Sequence, residues 1–77
     1  MFNNVKMDKK EIYKRIGRNI ARARRQKGYT QEYFAELTNK SWSTIAKLET
    51  GANNVSIGRL IDVAELLKVD FTEFLEF

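Results

Sequence analysis

The chain has 77 residues, which is enough for one domain with a modest hydrophobic core. It contains no cysteine and no histidine, so disulfides, thiolate metal sites and the most common general base are excluded, and no enzyme activity is expected. No segment approaches the roughly 20 apolar residues that span a bilayer, and residues 1–7 lack the apolar core of a signal peptide. The sequence predicts a cytoplasmic protein without a membrane segment, cofactor or metal.

The net charge of +4 conceals an uneven distribution of charged residues along the chain. Residues 1–48 contain 12 basic and 4 acidic side chains, whereas residues 49–77 contain 2 basic and 6 acidic ones. The basic half either attracts a polyanion or forms an ordinary solvated helix face, and charge alone does not decide between the two.

Helices are predicted throughout, because the sequence has no proline and no alternating apolar pattern long enough for a strand. The first helix is expected over residues 8–27, where Asp8 and Glu11 match a capping box and Gly28 provides a stop. Its buried face is marked by apolar residues at helical spacing: Ile12, Ile16, Ile20 and Ala23. Residues 1–7 are predicted to be a flexible N-terminus, followed by a single domain over residues 8–77.

Two short helices are predicted next. Thr30 caps the second helix, which runs to about Thr38, and Asn39 tolerates the left-handed turn that ends it. Ser41 caps the third helix over residues 42–50, and Gly51 closes it. The side chains expected to face the core are Phe34, Ala35 and Leu37 in the second helix and Ile45 and Leu48 in the third.

A fourth and a fifth helix complete the prediction. Ser56 caps the fourth, and Asp70 with Glu73 forms a second capping box. The apolar stripe of the fourth helix is expected to contain Ile57, Leu60, Ile61, Ala64 and Leu67. The last helix exposes more apolar surface than a monomer of this size needs, and a twofold dimer interface is predicted at Phe71, Phe74, Leu75 and Phe77. Alternatively, Phe71 and Phe74 complete the core.

The second and third helices, joined by a tight turn at residues 39–41, have the dimensions of a helix-turn-helix motif. Their sequences resemble the Cro/repressor-type (XRE-like) DNA-binding domains in three segments: residues 30–36 (TQEYFAE), 41–45 (SWSTI) and 49–51 (ETG). The resemblance extends from about residue 16 to residue 75. It implies a compact all-α, five-helix repressor-like domain that binds operator DNA, usually as a dimer, through its third helix.

Several residues depart from the pattern of that family. Asn39 replaces the usual glycine of the turn, and its neighbours Thr38 and Lys40 stand where apolar residues are common. Val55 replaces a frequent proline before the fourth helix, and Trp42 stands where many members place a polar side chain that reads a base. The resemblance therefore leaves the preferred DNA sequence open.

The resemblance implies two groups of DNA contacts and one structural ion pair. Phosphate contacts are expected from Thr30, Gln31, Ser41, Asn53 and Asn54, and base contacts from Trp42, Ser43, Thr44 and Lys47. Capping alone is the alternative for Thr30 and Ser41, a solvated side chain for Gln31, an ordinary turn for Asn53 and Asn54, and pairing with Glu36 or a phosphate for Lys47. Trp42 either packs on thymine methyl groups or sugars, or fills the surface of a partner. Arg24 and Glu49 are expected to join the first helix to the end of the third.

The sequence thus predicts a transcriptional regulator that binds double-stranded, near-palindromic operator DNA as a homodimer, in the manner of a phage-type repressor or a restriction-modification controller. A protein-interaction module, such as an antitoxin that uses the same scaffold for a protein partner, is the alternative, because Trp42 and the aromatic C-terminus suit such a surface. A membrane-surface helix is disfavoured, since the first helix lacks an aromatic and leucine-rich face.

Overall fold

The computed structural model describes residues 8–77. They form α1 (Lys9–Gln26), α2 (Gln31–Thr38), α3 (Trp42–Thr50), α4 (Ile57–Leu67) and a C-terminal 3-10 helix (Phe71–Leu75), with no strand in this part of the chain. The all-α class and the positions of the helices are confirmed. The fifth element is a 3-10 helix of five residues and not an α-helix, and the predicted flexible N-terminus lies outside the described residues.

Side-chain caps determine where the helices begin. Asp8, Thr30, Ser41 and Ser56 each accept a hydrogen bond, 2.9–3.1 Å long, from the backbone N–H three residues later. Each cap satisfies one of the N–H groups that have no partner inside the helix. The 3-10 helix is capped by Asp70, whose carboxylate accepts hydrogen bonds from the backbone N–H and the hydroxyl of Thr72. These two bonds lower the pKa of the Asp70 carboxyl below its usual value.

Three of the helices end at a residue in the left-handed conformation. Asn39 ends α2 with φ 58°, Gly51 ends α3 with φ 74°, and Lys68 ends α4 with φ 58°. The first two stops follow the sequence prediction. Lys68 gave no such signal, because lysine has no special preference for this conformation.

The core draws side chains from all five elements. Its largest fully buried residues are Ile20, Phe34, Ile45, Leu60, Leu67 and Phe74. Three predictions at its edge were wrong: Leu37, Ile57 and Ile61 are exposed. Val63 is buried on α4 instead, because α2 and the 3-10 helix both pack on α4 and the buried face turns toward them.

The C-terminal apolar residues divide between core and surface. Phe74 is fully buried and Phe71 packs partly against the core, whereas Leu75 and Phe77 are exposed. Phe74 is therefore removed from the predicted dimer surface, since its ring completes the core of the single chain.

Asn19 of α1 holds the C-terminal segment in place. Its Nδ2 donates to the backbone carbonyl oxygens of Phe74, at 2.9 Å, and Glu76, at 2.8 Å. The end of the chain is thus attached to α1 through its backbone.

The helices α1 and α3 touch backbone to backbone at two glycines. A Cβ atom built on Gly17 would lie 2.7 Å from the carbonyl oxygen of Leu48 and closer still to that of Glu49. A Cβ atom built on Gly51 would lie 2.6 Å from the backbone nitrogen of Lys14. Because backbone atoms cannot rotate away as a side chain does, these contacts fix the distance between α1 and α3.

We expect Gly17→Ala to destabilise the fold by about 2–3 kcal/mol, because the added methyl group forces α1 and α3 apart. Gly58→Ala is the matched control. Its Cβ would meet nothing nearer than 3.9 Å, and alanine favours a helix, so a gain of about 0.5–1 kcal/mol is expected. Urea denaturation of both variants measures the difference, and equal stability of the two would contradict the close packing at Gly17.

Candidate nucleic-acid interface

A short turn connects α2 to α3 and is closed by local hydrogen bonds. The N–H of Lys40 donates to the carbonyl oxygen of Ala35 at 2.9 Å, and the N–H of Asn39 donates to that of Glu36 at 3.1 Å. The Thr38 hydroxyl also donates to the Ala35 carbonyl oxygen, at 3.0 Å. Only the Thr38 bond uses a side chain, so it accounts for a polar residue at that position, whereas the two backbone bonds are open to any residue with an N–H.

A buried ion pair connects α1 to the end of α3. The Nε of Arg24 donates to Oε2 of Glu49 at 2.6 Å, and its Nη2 donates to Oε1 at 3.0 Å. The Nη1 of Arg24 donates to the carbonyl oxygen of Tyr29 at 2.6 Å. Each member of the pair is only 7% exposed, so the guanidinium and the carboxylate are hydrogen-bonded where water is largely absent.

Two hydrogen bonds of Gln31 link the buried ion pair to the exposed Trp42. The Nε2 of Gln31 donates to Oε1 of Glu49, and the indole Nε1 of Trp42 donates to Oε1 of Gln31, each at 2.8 Å. The first residue of α2 therefore bridges both ends of α3. Because both ends of its amide have partners within the protein, the side chain of Gln31 keeps only one N–H free for a phosphate.

The outward face of α3 carries polar side chains on successive turns. Ser43, Lys47 and Thr50 are exposed, and Trp42 is 56% exposed at the start of the helix. Thr50 was missed by the sequence analysis, although its spacing of seven residues from Ser43 places it on the same face. The two ion pairs of the described residues are Arg15 with Glu11 and Arg24 with Glu49, so the suggested pairing of Lys47 with Glu36 is not formed.

Thr44 belongs to a different surface from the other predicted base contacts. It is half-buried, and its hydroxyl lies 2.9 Å from that of Ser41. It lines a groove of about 530 Å³ together with the predicted loop residues Asn53 and Asn54. The groove also contains Arg59, which the sequence analysis did not single out.

Three arginines of α1 lie beside the end of α3. Arg18, Arg22 and Arg25 are exposed and line one side of a cleft of about 290 Å³. Gln31 and Thr50 are on its other side. Three of the twelve basic residues counted in the sequence thus lie next to the outward face of α3, although the cleft walls also include the carboxylate of Glu49, which is paired with Arg24.

Two kinds of site are not found in the described residues. No helix there is both long and apolar enough to cross a bilayer. No group of three acidic residues lies close enough together in residues 8–77 to hold a metal ion.

The HTH_3 helix-turn-helix family matches residues 20–74 of the sequence, from the middle of α1 to the 3-10 helix. The chain belongs to the HTH_3 family. This finding confirms the resemblance carried by the three segments between residues 30 and 51.

Two sequence relatives of this HTH_3 chain are named as regulators. It is 35% identical over 63 residues to the uncharacterized HTH-type transcriptional regulator y4dJ of Sinorhizobium fredii, and the alignment covers 82% of each protein. It is 33% identical over 61 residues to the uncharacterized HTH-type transcriptional regulator RC0668 of Rickettsia conorii. That alignment covers 79% of this chain and 49% of the relative, so the chain spans about half the length of the longer protein.

Two crystal structures resemble this HTH_3 chain over most of its length. The DNA-binding domain of BldD has a TM-score of 0.80 at 25% identity, with 91% of this chain and 100% of that domain covered. The restriction-modification controller protein C.AhdI from Aeromonas hydrophila has a TM-score of 0.73 at 27% identity, with 80% of this chain and 94% of that protein covered. The arrangement of helices is therefore similar to that of the DNA-binding domain of BldD.

We expect Glu49→Gln to cost about 3–5 kcal/mol of stability, because it leaves the buried Arg24 guanidinium without its counter-charge. Glu11→Gln is the matched control, since it removes the same charge from a pair with Arg15 whose side chains are about 40% exposed. The control should cost less than about 1 kcal/mol. Thermal and urea unfolding compare the two variants, and similar losses in both would show that burial adds nothing to the Arg24 pair.

Proposed function

We propose that this chain is a sequence-specific DNA-binding transcriptional regulator, and not an enzyme, with α3 as the helix that enters the major groove. The observation that supports this most directly is the exposed polar face of α3 beside three exposed arginines of α1. A major groove admits one α-helix, and phosphates on its edge attract the guanidinium groups next to it. The regulators among its HTH_3 relatives have names consistent with the same role.

Base recognition and phosphate binding are assigned to different residues of the regulator. Ser43, Lys47 and Thr50 supply hydroxyl and ammonium groups at the spacing of successive helical turns, which suits base edges along the groove. Phosphates are bound on the flanks, where Arg18, Arg22 and Arg25 lie on one side and the Asn53 and Asn54 loop on the other. Thr44 joins the second flank, because it lines the same groove as the loop.

The regulator is proposed to act as a homodimer on a near-palindromic site. Leu75 and Phe77 are exposed at the C-terminus, and the Phe77 ring lies 6.0 Å from the Arg15 guanidinium carbon. A second copy that covers these side chains removes apolar surface from water. To reach two successive major grooves, this twofold dimer must hold its two α3 helices about 34 Å apart, one turn of the duplex.

A protein-interaction module on the same scaffold is the second candidate function, and the exposed Trp42 favours it. Salt dependence separates the two functions. Binding to duplex DNA that neutralises several phosphates weakens steeply and linearly on a logarithmic salt scale, whereas a surface directed at a protein shows no such slope. Selection of bound sequences from random duplexes tests the proposed function, and enrichment of no sequence would overturn it.

We expect Lys47→Ala to weaken binding to the selected site by about 1–3 kcal/mol and to reduce discrimination at one base pair, because Lys47 is exposed in the middle of the α3 face. Arg22→Ala is the control, since an arginine on the flank should affect the selected and scrambled duplexes alike. Binding is measured on both duplexes at one fixed salt concentration. Equal losses on the two duplexes for Lys47→Ala would assign Lys47 to a phosphate.

We expect Phe77→Glu to weaken self-association at least tenfold, because it places a charge in the proposed apolar interface. Leu66→Glu is the control, since Leu66 is an exposed apolar residue on α4 that borders α2 and α3 and not the C-terminus. Sedimentation at tens of micromolar without DNA gives the association state of each. A monomeric parent chain, or a dimer unaffected by Phe77→Glu, would refute this interface.

A further inference from the structure

The indole of Trp42 has the unusual combination of an exposed ring and a satisfied polar atom. Its side chain is 56% exposed at the first position of α3. Its one hydrogen-bond donor, Nε1, is bound to Oε1 of Gln31 at 2.8 Å. An indole has no other donor and no lone-pair acceptor, so the ring that Trp42 offers to a partner has no free hydrogen-bonding atom.

The orientation of that ring is imposed from the core. The Glu49 carboxylate accepts a bond from Gln31 Nε2 and therefore forces the amide oxygen of Gln31 to point the other way, toward the indole. Glu49 itself is held by two bonds from the buried Arg24. The ring is thus pre-oriented before any ligand arrives, which lowers the entropy cost of binding.

The major groove of DNA contains one apolar group that matches this surface. Thymine carries a 5-methyl group there, while the other groups on the base edges are hydrogen-bond donors and acceptors. An aromatic ring without a free donor, at the first turn of a recognition helix, forms no hydrogen bond with those polar edges. Covering them also removes their water, which costs free energy. We infer that Trp42 is a specificity-determining residue that recognises a thymine methyl group in each half-site, with Gln31 and Glu49 as its positioning residues. This inference rests on the proposed function.

Uracil replacement isolates the methyl group, because uracil differs from thymine by that group alone. The enriched site is selected from unmethylated duplexes, so every methyl group in it belongs to thymine. Each thymine of the site is then replaced singly by uracil, and affinity is measured at fixed salt. At one position in each half-site, the replacement should lower the affinity of the parent chain about 4-fold, which corresponds to the burial of one methyl group.

Two variants identify the side chain that contacts the methyl group. In Trp42→Ala the thymine and uracil duplexes should bind equally at the sensitive position. In Trp42→Phe the ratio should fall below 4-fold without reaching equality, since the ring stays apolar but the N–H that Gln31 holds is lost. Gln26→Ala, an exposed neutral change at the end of α1, should keep the full ratio.

Fluorescence gives a second readout that does not depend on affinity, because Trp42 is the only tryptophan of the chain. Acrylamide quenching of the bound protein should be weaker on the thymine duplex than on the uracil duplex, since the methyl group shields the ring.

The possible failures are distinguishable. Enrichment of no sequence overturns the proposed function and this inference together. An enriched site that contains no methyl-sensitive thymine, or whose sensitivity persists in Trp42→Ala, overturns the inference and leaves the function standing. An unchanged 4-fold ratio in Trp42→Phe overturns the positioning role of Gln31 and Glu49, because that variant lacks the N–H that Gln31 binds.

Discussion

The bidentate pair between Arg24 and Glu49 is the interaction on which the presentation of the interface depends. A buried guanidinium and a buried carboxylate are each costly to remove from water, and that cost is offset only when their hydrogen bonds are complete. Here the guanidinium also binds the Tyr29 carbonyl oxygen, and the carboxylate also accepts from Gln31. The pair therefore fixes the start of α2, the end of α3 and the last turn of α1 relative to one another.

The ion pair needs the close helix crossing that the glycines permit. Gly17 lies directly under the backbone of residues 48 and 49, so any larger residue there moves Glu49 away from Arg24. Gly51 permits the same close approach at the other end of the contact, where the end of α3 meets the backbone of Lys14. Packing and electrostatics are coupled in this way: the short distances of the pair, near 2.6 and 3.0 Å, exist because two backbones touch.

Local sequence patterns predicted the positions of the helices well. They predicted less well which side chains the fold buries, because burial depends on how the helices pack. Capping by Thr30, Ser41 and Ser56 is a property of residues three apart and was readable directly. The exposure of Ile57 and Ile61 could not be read from the sequence, because it depends on which elements pack on α4. At the interface, residue type suggested that Gln31 and Trp42 contact DNA, but nothing in the sequence shows that their polar atoms bind each other.

The attachment of the C-terminus by Asn19 has a consequence for how related chains diverge. Asn19 binds the carbonyl oxygens of residues 74 and 76, and every amino acid carries such an oxygen. The path of the last residues is thus held through backbone atoms, which do not depend on the side chains at positions 75 and 77. Leu75 is 39% exposed, and Phe77 is 55% exposed with its ring beside Arg15. Related chains can therefore differ at these two positions, and so in the surface they expose, while Asn19 still holds the backbone.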